Sequence, residues 1–307
     1  MSMNFMMENL QKKLHDFIDE KSDGKELSDD EFNELLQEFS AQYNTIVDAK
    51  PLTEKTAKTA LDWLELAENT RYKTKKIKAL NKALEIEPDN IDALSIKASL
   101  SNDSMFTMLD NFTEIAEKAR RQLEDGGFFK KDCIGNFWQI LETRPYLRAL
   151  STCVNLNMIA GRLKRTVDLC NEILRLNDVD NMGIRYTLLH CYARLEDVKS
   201  AEKLIRRCDN EETFHFIMPQ ALLYYCVGDE EKAVAKLFEA QEHNKHLKKF
   251  FAHYETALSE KNDLYESYPI SSPSEVAAFF DAYMALYPVV FFNWGKEQFK
   301  KKRLQKK

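Results

Sequence analysis

The feature that most constrains the fold is a pair of amphipathic segments that recurs about every 34 residues, a period typical of helical repeats. Turns are expected at Gly161, Leu195 and Gly228, which are almost evenly spaced, and a small or branched residue follows each turn after five or six residues. A single helical hairpin cannot bury its apolar face alone, so such hairpins stack and use small residues where their helices approach closely. The spacing therefore predicts a stack of helical hairpins.

Composition supports a helical chain. The 307 residues include 8 Gly and 7 Pro, which are too few turn formers for a β-sandwich or barrel. We predict an all-α, tetratricopeptide-like right-handed α-solenoid, although the period alone leaves other α-solenoids open. The best repeats are 57–90, 147–180, 181–213 and 214–246. The stretch 91–146 is less regular and contains a long helix from about Ser104 to Glu124 that Gly126 and Gly127 end.

The ends of the chain depart from the repeat. We predict an N-terminal helical region at 1–50, a repeat solenoid at 51–260, and C-terminal capping helices with a basic tail at 261–307. The tail carries seven basic residues against one Glu from Lys296 onward, whereas the whole chain has a net charge of −6. Such a tail is either the solvated end of a helix or a surface that contacts nucleic acid.

The chain carries no signature of catalysis, a cofactor or a compartment other than the cytoplasm. No glycine-rich phosphate loop, HExxH or GxSxG motif is present, and no run of about 18 apolar residues or secretory leader is found. Six cysteines without a CxxC pair indicate reduced core thiols rather than a zinc or redox site. A stripe of His243, His246 and His253 could bind zinc, but nearby lysines disfavour a dication. We therefore expect a cytoplasmic, non-enzymatic protein without cofactor or metal.

Two segments are more distinctive in sequence than the repeat pattern. They are GNFWQILETRPYLRAL at 135–150 and DNMGIRYTLLHCYARLED at 180–197. They resemble one group of bacterial tetratricopeptide proteins related to the suppressor-of-tumorigenicity family. The residues that match the first motif are Phe137, Trp138, Glu142, Thr143, Arg144, Pro145 and Tyr146. Those that match the second are Asp180, Asn181, Gly183, Arg185 and Tyr186. The resemblance implies a helical-repeat interaction protein and no defined biochemical activity.

The same motifs have a physical interpretation. Thr143 is a suitable N-cap for a helix that Pro145 can begin, because proline lacks the N–H that an early helical position leaves unpaired. Asp180 can cap the first helix of the next repeat, where a carboxylate meets the positive end of the helix dipole.

If Gly161 and Leu195 occupy equivalent turns, one face of the first helix carries Arg148, Ser151 and Asn155. The equivalent face of the next first helix carries Arg185, Leu189 and Tyr192. The resemblance implies that these positions line a concave groove, where the arginines would bind an acidic side chain or the C-terminal carboxylate of a partner peptide. The competing hypothesis is that the arginines pair with Glu142 and Asp180 and lock neighbouring helices together. Both hypotheses stay open at this point.

The function predicted from the sequence is a scaffold that binds a partner peptide or helix without a chemical step. Nucleic acid is an unlikely partner and a membrane is not expected. The alternative is a nucleic-acid-associated regulator that uses residues 296–307, and this alternative predicts binding that weakens steeply with salt.

Overall fold

The structure is a computed structural model that describes residues 5–23, 25, 27–49, 52–259 and 268–305. In these ranges it contains α-helices and two short 3-10 helices but no β-strand, so the prediction of an all-α chain is confirmed. The α-helices are α1 Phe5–Ser22, α2 Asp29–Ala49, α3 Ala60–Glu68, α4 Lys73–Ile86, α5 Ile91–Ser99, α6 Met105–Asp125, α7 Arg144–Ile159, α8 Leu163–Leu176, α9 Ile184–Arg194, α10 Val198–Arg207, α11 Phe214–Cys226, α12 Glu230–His243, α13 Leu247–Ala252, α14 Tyr254–Ser259, α15 Pro273–Tyr283 and α16 Val289–Gln305. The 3-10 helices are Leu141–Thr143 and Met284–Leu286.

The chain divides into two compact units, Met1–Ala149 and Leu150–Lys307, and the division falls within α7. In the first unit α3 packs on α4, α4 on α5, and α5 on α6. In the second unit α8 packs on α9, and α9 contacts both α10 and α11, while α11 packs on α12. These helices thus pack on the next helix or the next but one in sequence, as stacked hairpins do.

Small residues stand where helices approach closely, as the repeat predicts. Ala83, Ala201 and Ala233 are fully buried in α4, α10 and α12. The long helix predicted from about Ser104 to Glu124 is also confirmed as α6. The Ser104 side chain caps its start by accepting a hydrogen bond from the Thr107 N–H at 3.2 Å. Beyond its end Gly127 has φ +72°, the left-handed conformation that glycine adopts without a side-chain clash.

The turns between helices correct the register of the predicted repeat. Gly161, Glu196 and Gly228 have φ values of +72°, +58° and +79°, so the left-handed turn residue is Glu196 and not Leu195. The first interval between turns is therefore longer than predicted, and the second is shorter. Glycine occupies the left-handed position in two of these turns and glutamate in the other, so the residue types alone did not indicate the register of the repeat.

The terminal helices pack on the hairpins of their own unit. α1 contacts α3 in the first unit, and α2 packs on α1 with the rings of Phe17 and Phe39 5.6 Å apart. In the second unit α13, α15 and α16 build an aromatic core in which Phe251, Phe280 and Phe292 are fully buried. The predicted boundaries near residues 50 and 260 and the last two tail residues lie outside the described ranges.

One smaller expectation changes. His243, His246 and His253 do not share one helix, because α12 ends at His243 and α13 begins only at Leu247. None of the helices in the described ranges combines the length and apolar character needed to cross a membrane.

Candidate functional site: two arginine clusters

The first motif centres on Arg148 in α7, whose guanidinium binds two carboxylates. Its Nε and Nη2 donate to Asp92 of α5 at 2.8 and 2.6 Å, and its Nη1 and Nη2 donate to Glu8 of α1 at 2.7 and 3.2 Å. The side chains of Arg148, Asp92 and Glu8 are only 12%, 6% and 13% exposed. Burial lowers the pKa of Arg148, but the two carboxylates raise it by more, so its pKa lies above the usual value.

The start of α1 is held by polar contacts around this pair. Asn9 is buried, and its amide donates to Asp62 and Glu65 of α3 at 2.9 Å each. The Phe5 N–H donates to Glu68 at 2.9 Å, and the Phe5 ring is buried with the Arg148 guanidinium 5.6 Å from its centroid. The first two turns of α1 are therefore seated on α3 and α7, and Arg148 of α7 is held in turn by Asp92 of α5.

The remaining residues of the first motif build the entry to α7. Arg144 donates from Nε to the Trp138 carbonyl at 2.7 Å, stacks over the Trp138 ring, and donates from Nη1 to Gln11 of α1 at 2.9 Å. Thr143 is buried, and its hydroxyl donates back to the carbonyls of Phe137 and Ile140. This hydroxyl therefore closes the turn before α7, a role that the prediction of a simple N-cap missed.

Phe137 and Tyr146 form the apolar base of the same entry. Both are buried, and the edge of each ring faces Phe129 at centroid distances of 5.4 and 6.2 Å. Glu142 and Pro145, together with Tyr146, lie along a cleft of about 420 Å³. Glu142 is exposed there, and the ion pairs of Arg148 go to Glu8 and Asp92 instead, which corrects the expectation that Glu142 would lock this arginine.

The second motif forms a separate cluster in the second unit. Arg185 of α9 donates from Nε to Glu211 at 2.8 Å, from Nη1 to Asp180 at 2.9 Å and from Nη2 to the Tyr186 hydroxyl at 2.7 Å. Tyr186 in turn donates to Glu211 at 2.7 Å. Burial and the bond to Glu211 raise the pKa of Tyr186 to about 12, and hydrogen bonds from Thr213, Tyr186 and Arg185 outweigh burial to lower the pKa of Glu211.

Asp180 and Gly183 fix the start of α9. The Asp180 carboxylate accepts hydrogen bonds from the N–H groups of Ile184 at 2.7 Å and Arg185 at 3.1 Å, so the predicted capping role is confirmed. Gly183 has φ +67°, and a Cβ there would lie 3.2 Å from the Tyr186 ring. Asn181 is exposed beside them.

A buried histidine faces the C-terminal helices of the second unit. His190 Nδ1 lies 2.7 Å from the Tyr186 carbonyl, and Nε2 lies 3.1 Å from the Tyr287 hydroxyl. A carbonyl oxygen only accepts, so Nδ1 carries the hydrogen and Nε2 accepts from Tyr287. The ring stacks on Tyr283 at 4.0 Å, and burial lowers the pKa of His190 to about 3.

The predicted groove residues do not lie on one open face. Leu189 is fully buried and Tyr192 is 9% exposed, whereas Ser151 is half-buried and Asn155 is exposed. Each residue along a helix turns it by about 100°, so the one-residue error at the turn rotated the predicted face. With Glu196 as the turn residue that matches Gly161, Asn155 corresponds to His190.

The structure thus places the two arginines in intramolecular ion pairs, as the locking hypothesis expected. Of their partners, Asp180 was predicted, while Glu8, Asp92 and Glu211 were not. Glu8 lies 140 residues from Arg148 in the sequence, and no local pattern joins two such distant positions. Binding of a partner by Arg148, Ser151, Asn155, Arg185, Leu189 and Tyr192 stays a prediction.

The chemistry of the described residues adds little to these clusters. No group of three or more His, Cys, Asp or Glu side chains in these ranges is placed to hold a metal ion. The six cysteines are free, and burial raises the pKa of the thiols of Cys153 and Cys191 to about 11 and 12. In the basic tail, Lys302 lies 3.7 Å from the centroid of the Phe238 ring, and Phe299 is buried.

Neither arginine cluster is accompanied by a match to a known protein. No protein-family model matches the chain, and no similar curated protein is found.

Proposed function

We propose that the chain is a non-enzymatic protein-interaction scaffold of the tetratricopeptide type, with its hairpins stacked in a right-handed superhelix. It binds a helix or extended peptide of a partner protein on the first helices of its hairpins, and it acts in the cytoplasm. The proposal includes the relationship to bacterial tetratricopeptide proteins of the suppressor-of-tumorigenicity group.

The observation that carries the proposal is the seating of α1 on α3 and α7, with Asp92 of α5 bound to the same arginine. These three are the first helices of successive hairpins, and side chains of α3 and α7 hold a helix through its Asn9 amide and its Glu8 carboxylate. A face with this chemistry recognises a helix that presents a carboxylate to Arg148 and an amide to the carboxylates of α3, and arginine is suited to it because its planar fork binds a carboxylate through two hydrogen bonds. The helix-in-groove mode of recognition uses the same elements.

The experiment is affinity capture from a native lysate at moderate salt. Among the six predicted groove residues Asn155 is the exposed one, so it can meet a partner without rearrangement of the chain. Wild-type bait is compared with Asn155→Arg and with Asn102→Arg, a matched change at an exposed position between α5 and α6. Arg148 and Arg185 are not suitable for this test because they are held in intramolecular ion pairs.

We expect wild type and Asn102→Arg to retain the same protein, and Asn155→Arg to retain at least about tenfold less of it, since a bulky charge in a packed contact costs more than about 1.4 kcal/mol. Equal retention by all three baits, or capture of no protein, would contradict the proposal.

A further inference from the structure

We propose that α1 is a built-in occupant of the first unit's helix-binding face, and that a partner helix of the same chemistry displaces it. This proposal rests on the proposed function, because it names the site and the class of partner. The partner helix would carry an aromatic residue in its first turn, followed three and four residues later by Glu and Asn.

The seat recognises α1 in four separate ways. Glu68 accepts the N–H of Phe5 at the start of the helix, where a carboxylate also meets the positive end of the helix dipole. The Phe5 ring is buried beneath the Arg148 guanidinium. Arg148 then binds both oxygens of Glu8, and the Asn9 amide bridges two carboxylates of α3. Position and chemistry are therefore both specified.

Beyond Asn9 the anchoring of this helix is weaker, with Gln11 bonded to Arg144 at 2.9 Å and Lys13 3.5 Å from Asp62. Phe5 and Asn9 are its two buried residues, and its side chains from residue 10 to residue 22 are half-buried or exposed. α2 packs on α1, and none of its side chains from residue 29 to residue 43 is buried. The helix therefore contributes one ring, Phe5, to the apolar core of its unit and is otherwise held by polar contacts over two turns, a mixture that resembles a protein–protein contact.

Displacement is feasible because the central ion pair of the seat remains when α1 leaves. Asp92 stays bonded to Arg148 through two hydrogen bonds when Glu8 leaves, so the most buried carboxylate is never unpaired. A partner helix then has to supply the three groups that α1 supplied, which are the Phe5 ring, the Glu8 carboxylate and the Asn9 amide. Tethered α1 competes at an effective concentration in the millimolar range, so it sets a threshold that the partner must exceed.

The test measures binding of a labelled peptide with the sequence of residues 5–22 to the full chain by fluorescence anisotropy. A lactam between Lys12 and Asp16, exposed side chains four residues apart, pre-orders the peptide, because an isolated helix of this length is marginal. The full-length proteins are wild type, Glu8→Arg, which repels α1 from Arg148, and Glu8→Gln, which weakens the pair without repulsion. The control is Glu20→Arg, the same charge change at an exposed position of α1.

We expect Glu8→Arg to bind the peptide at least about tenfold more tightly than wild type, with Glu8→Gln between them and Glu20→Arg equal to wild type. A peptide that carries Glu8→Gln should bind Glu8→Arg more weakly than the native peptide does. If Glu8→Arg does not fold, the comparison of Glu8→Gln with wild type is still decisive: tighter peptide binding by Glu8→Gln supports the proposal and equal binding overturns it.

Equal affinity for all four proteins, or no binding to the Glu8 variants at about 1 mM peptide, would overturn the proposal and leave α1 as a permanent part of the fold. Dimers of Glu8→Arg in light scattering that the peptide cannot dissociate would also overturn it, since a second copy would then be the occupant. Peptide binding to Glu8→Arg together with an empty lysate capture would support the displaceable seat and refute the scaffold function.

Discussion

Loss of the Arg148 side chain should destabilise the first unit far more than loss of an exposed arginine. Arg148→Met keeps most of the apolar volume but removes four N–O contacts of 2.6 to 3.2 Å. It leaves Asp92, 6% exposed, without this cation, and Glu8, 13% exposed, with the longer contact of 3.5 Å to Arg144. Breaking a buried pair from one side costs about 3–5 kcal/mol, because a buried charge is left uncompensated.

The assay is urea unfolding at pH 7, followed by circular dichroism and by tryptophan fluorescence, since Trp63 and Trp138 both lie in the first unit. Arg206→Met is the control, because Arg206 is 66% exposed and contacts Glu202 at 3.7 Å; it should cost less than about 1 kcal/mol. The double variant Arg148→Met, Asp92→Asn should regain about 1 kcal/mol or more, because the amide carries no charge. An Arg148→Met protein that loses no more stability than Arg206→Met would refute the reasoning.

Three further predictions concern pH and backbone. The unfolded chain protonates His190 near pH 6.5 whereas the folded chain does so only near pH 3, so lowering the pH from 7 to 4.5 should cost about 2–3 kcal/mol of unfolding free energy through this residue. In urea titrations, His190→Gln should reduce the dependence of the unfolding free energy on pH, and His253→Gln, at an exposed position, should not. Asp62 has a pKa of about 2, because its burial is outweighed by hydrogen bonds from Lys58, Asn9 and Thr59 and by the charge of Lys13. It should therefore contribute about 1–2 kcal/mol of unfolding free energy that is present above pH 4 and lost between pH 4 and 2, and Asp62→Asn should lack this acid transition. Gly183→Ala should lower stability by about 1 kcal/mol more than Gly161→Ala, because both glycines have left-handed φ but only a Cβ at Gly183 meets the Tyr186 ring. Equal losses of stability for the two variants in thermal melts would contradict this prediction.

The helical architecture was predictable because it rests on local signals. The spacing of apolar segments and the glycines at 161 and 228 mark turns in the sequence itself, and Ser104 and Asp180 are residues that cap helices in isolation as well. The error arose at the turn between these two, where Glu196 adopts a left-handed conformation that is uncommon for glutamate. That single displaced residue rotated the predicted binding face onto buried Leu189 and Tyr192.

The partners of the arginines were not predictable because they depend on contacts between distant segments. The sequence marks Arg148 and Arg185 as unusual, but Glu8 and Asp92 are ordinary residues in helices far along the chain. Carboxylates are abundant in this protein, with 50 Asp and Glu residues, so composition cannot select the two that meet one guanidinium. Only the packing of α1 and α5 beside α7 does so.

The most direct test of the central claim is hydrogen exchange of the backbone amides of residues 5–22 in the full chain, compared between wild type, Glu8→Arg and Glu20→Arg. If Glu8 seats α1 on Arg148, exchange in this segment should rise at least about tenfold in Glu8→Arg while α5 and α7 keep their protection, and Glu20→Arg should match wild type. Unchanged exchange of residues 5–22 in Glu8→Arg, or a rise that spreads equally to α5 and α7, would contradict the account.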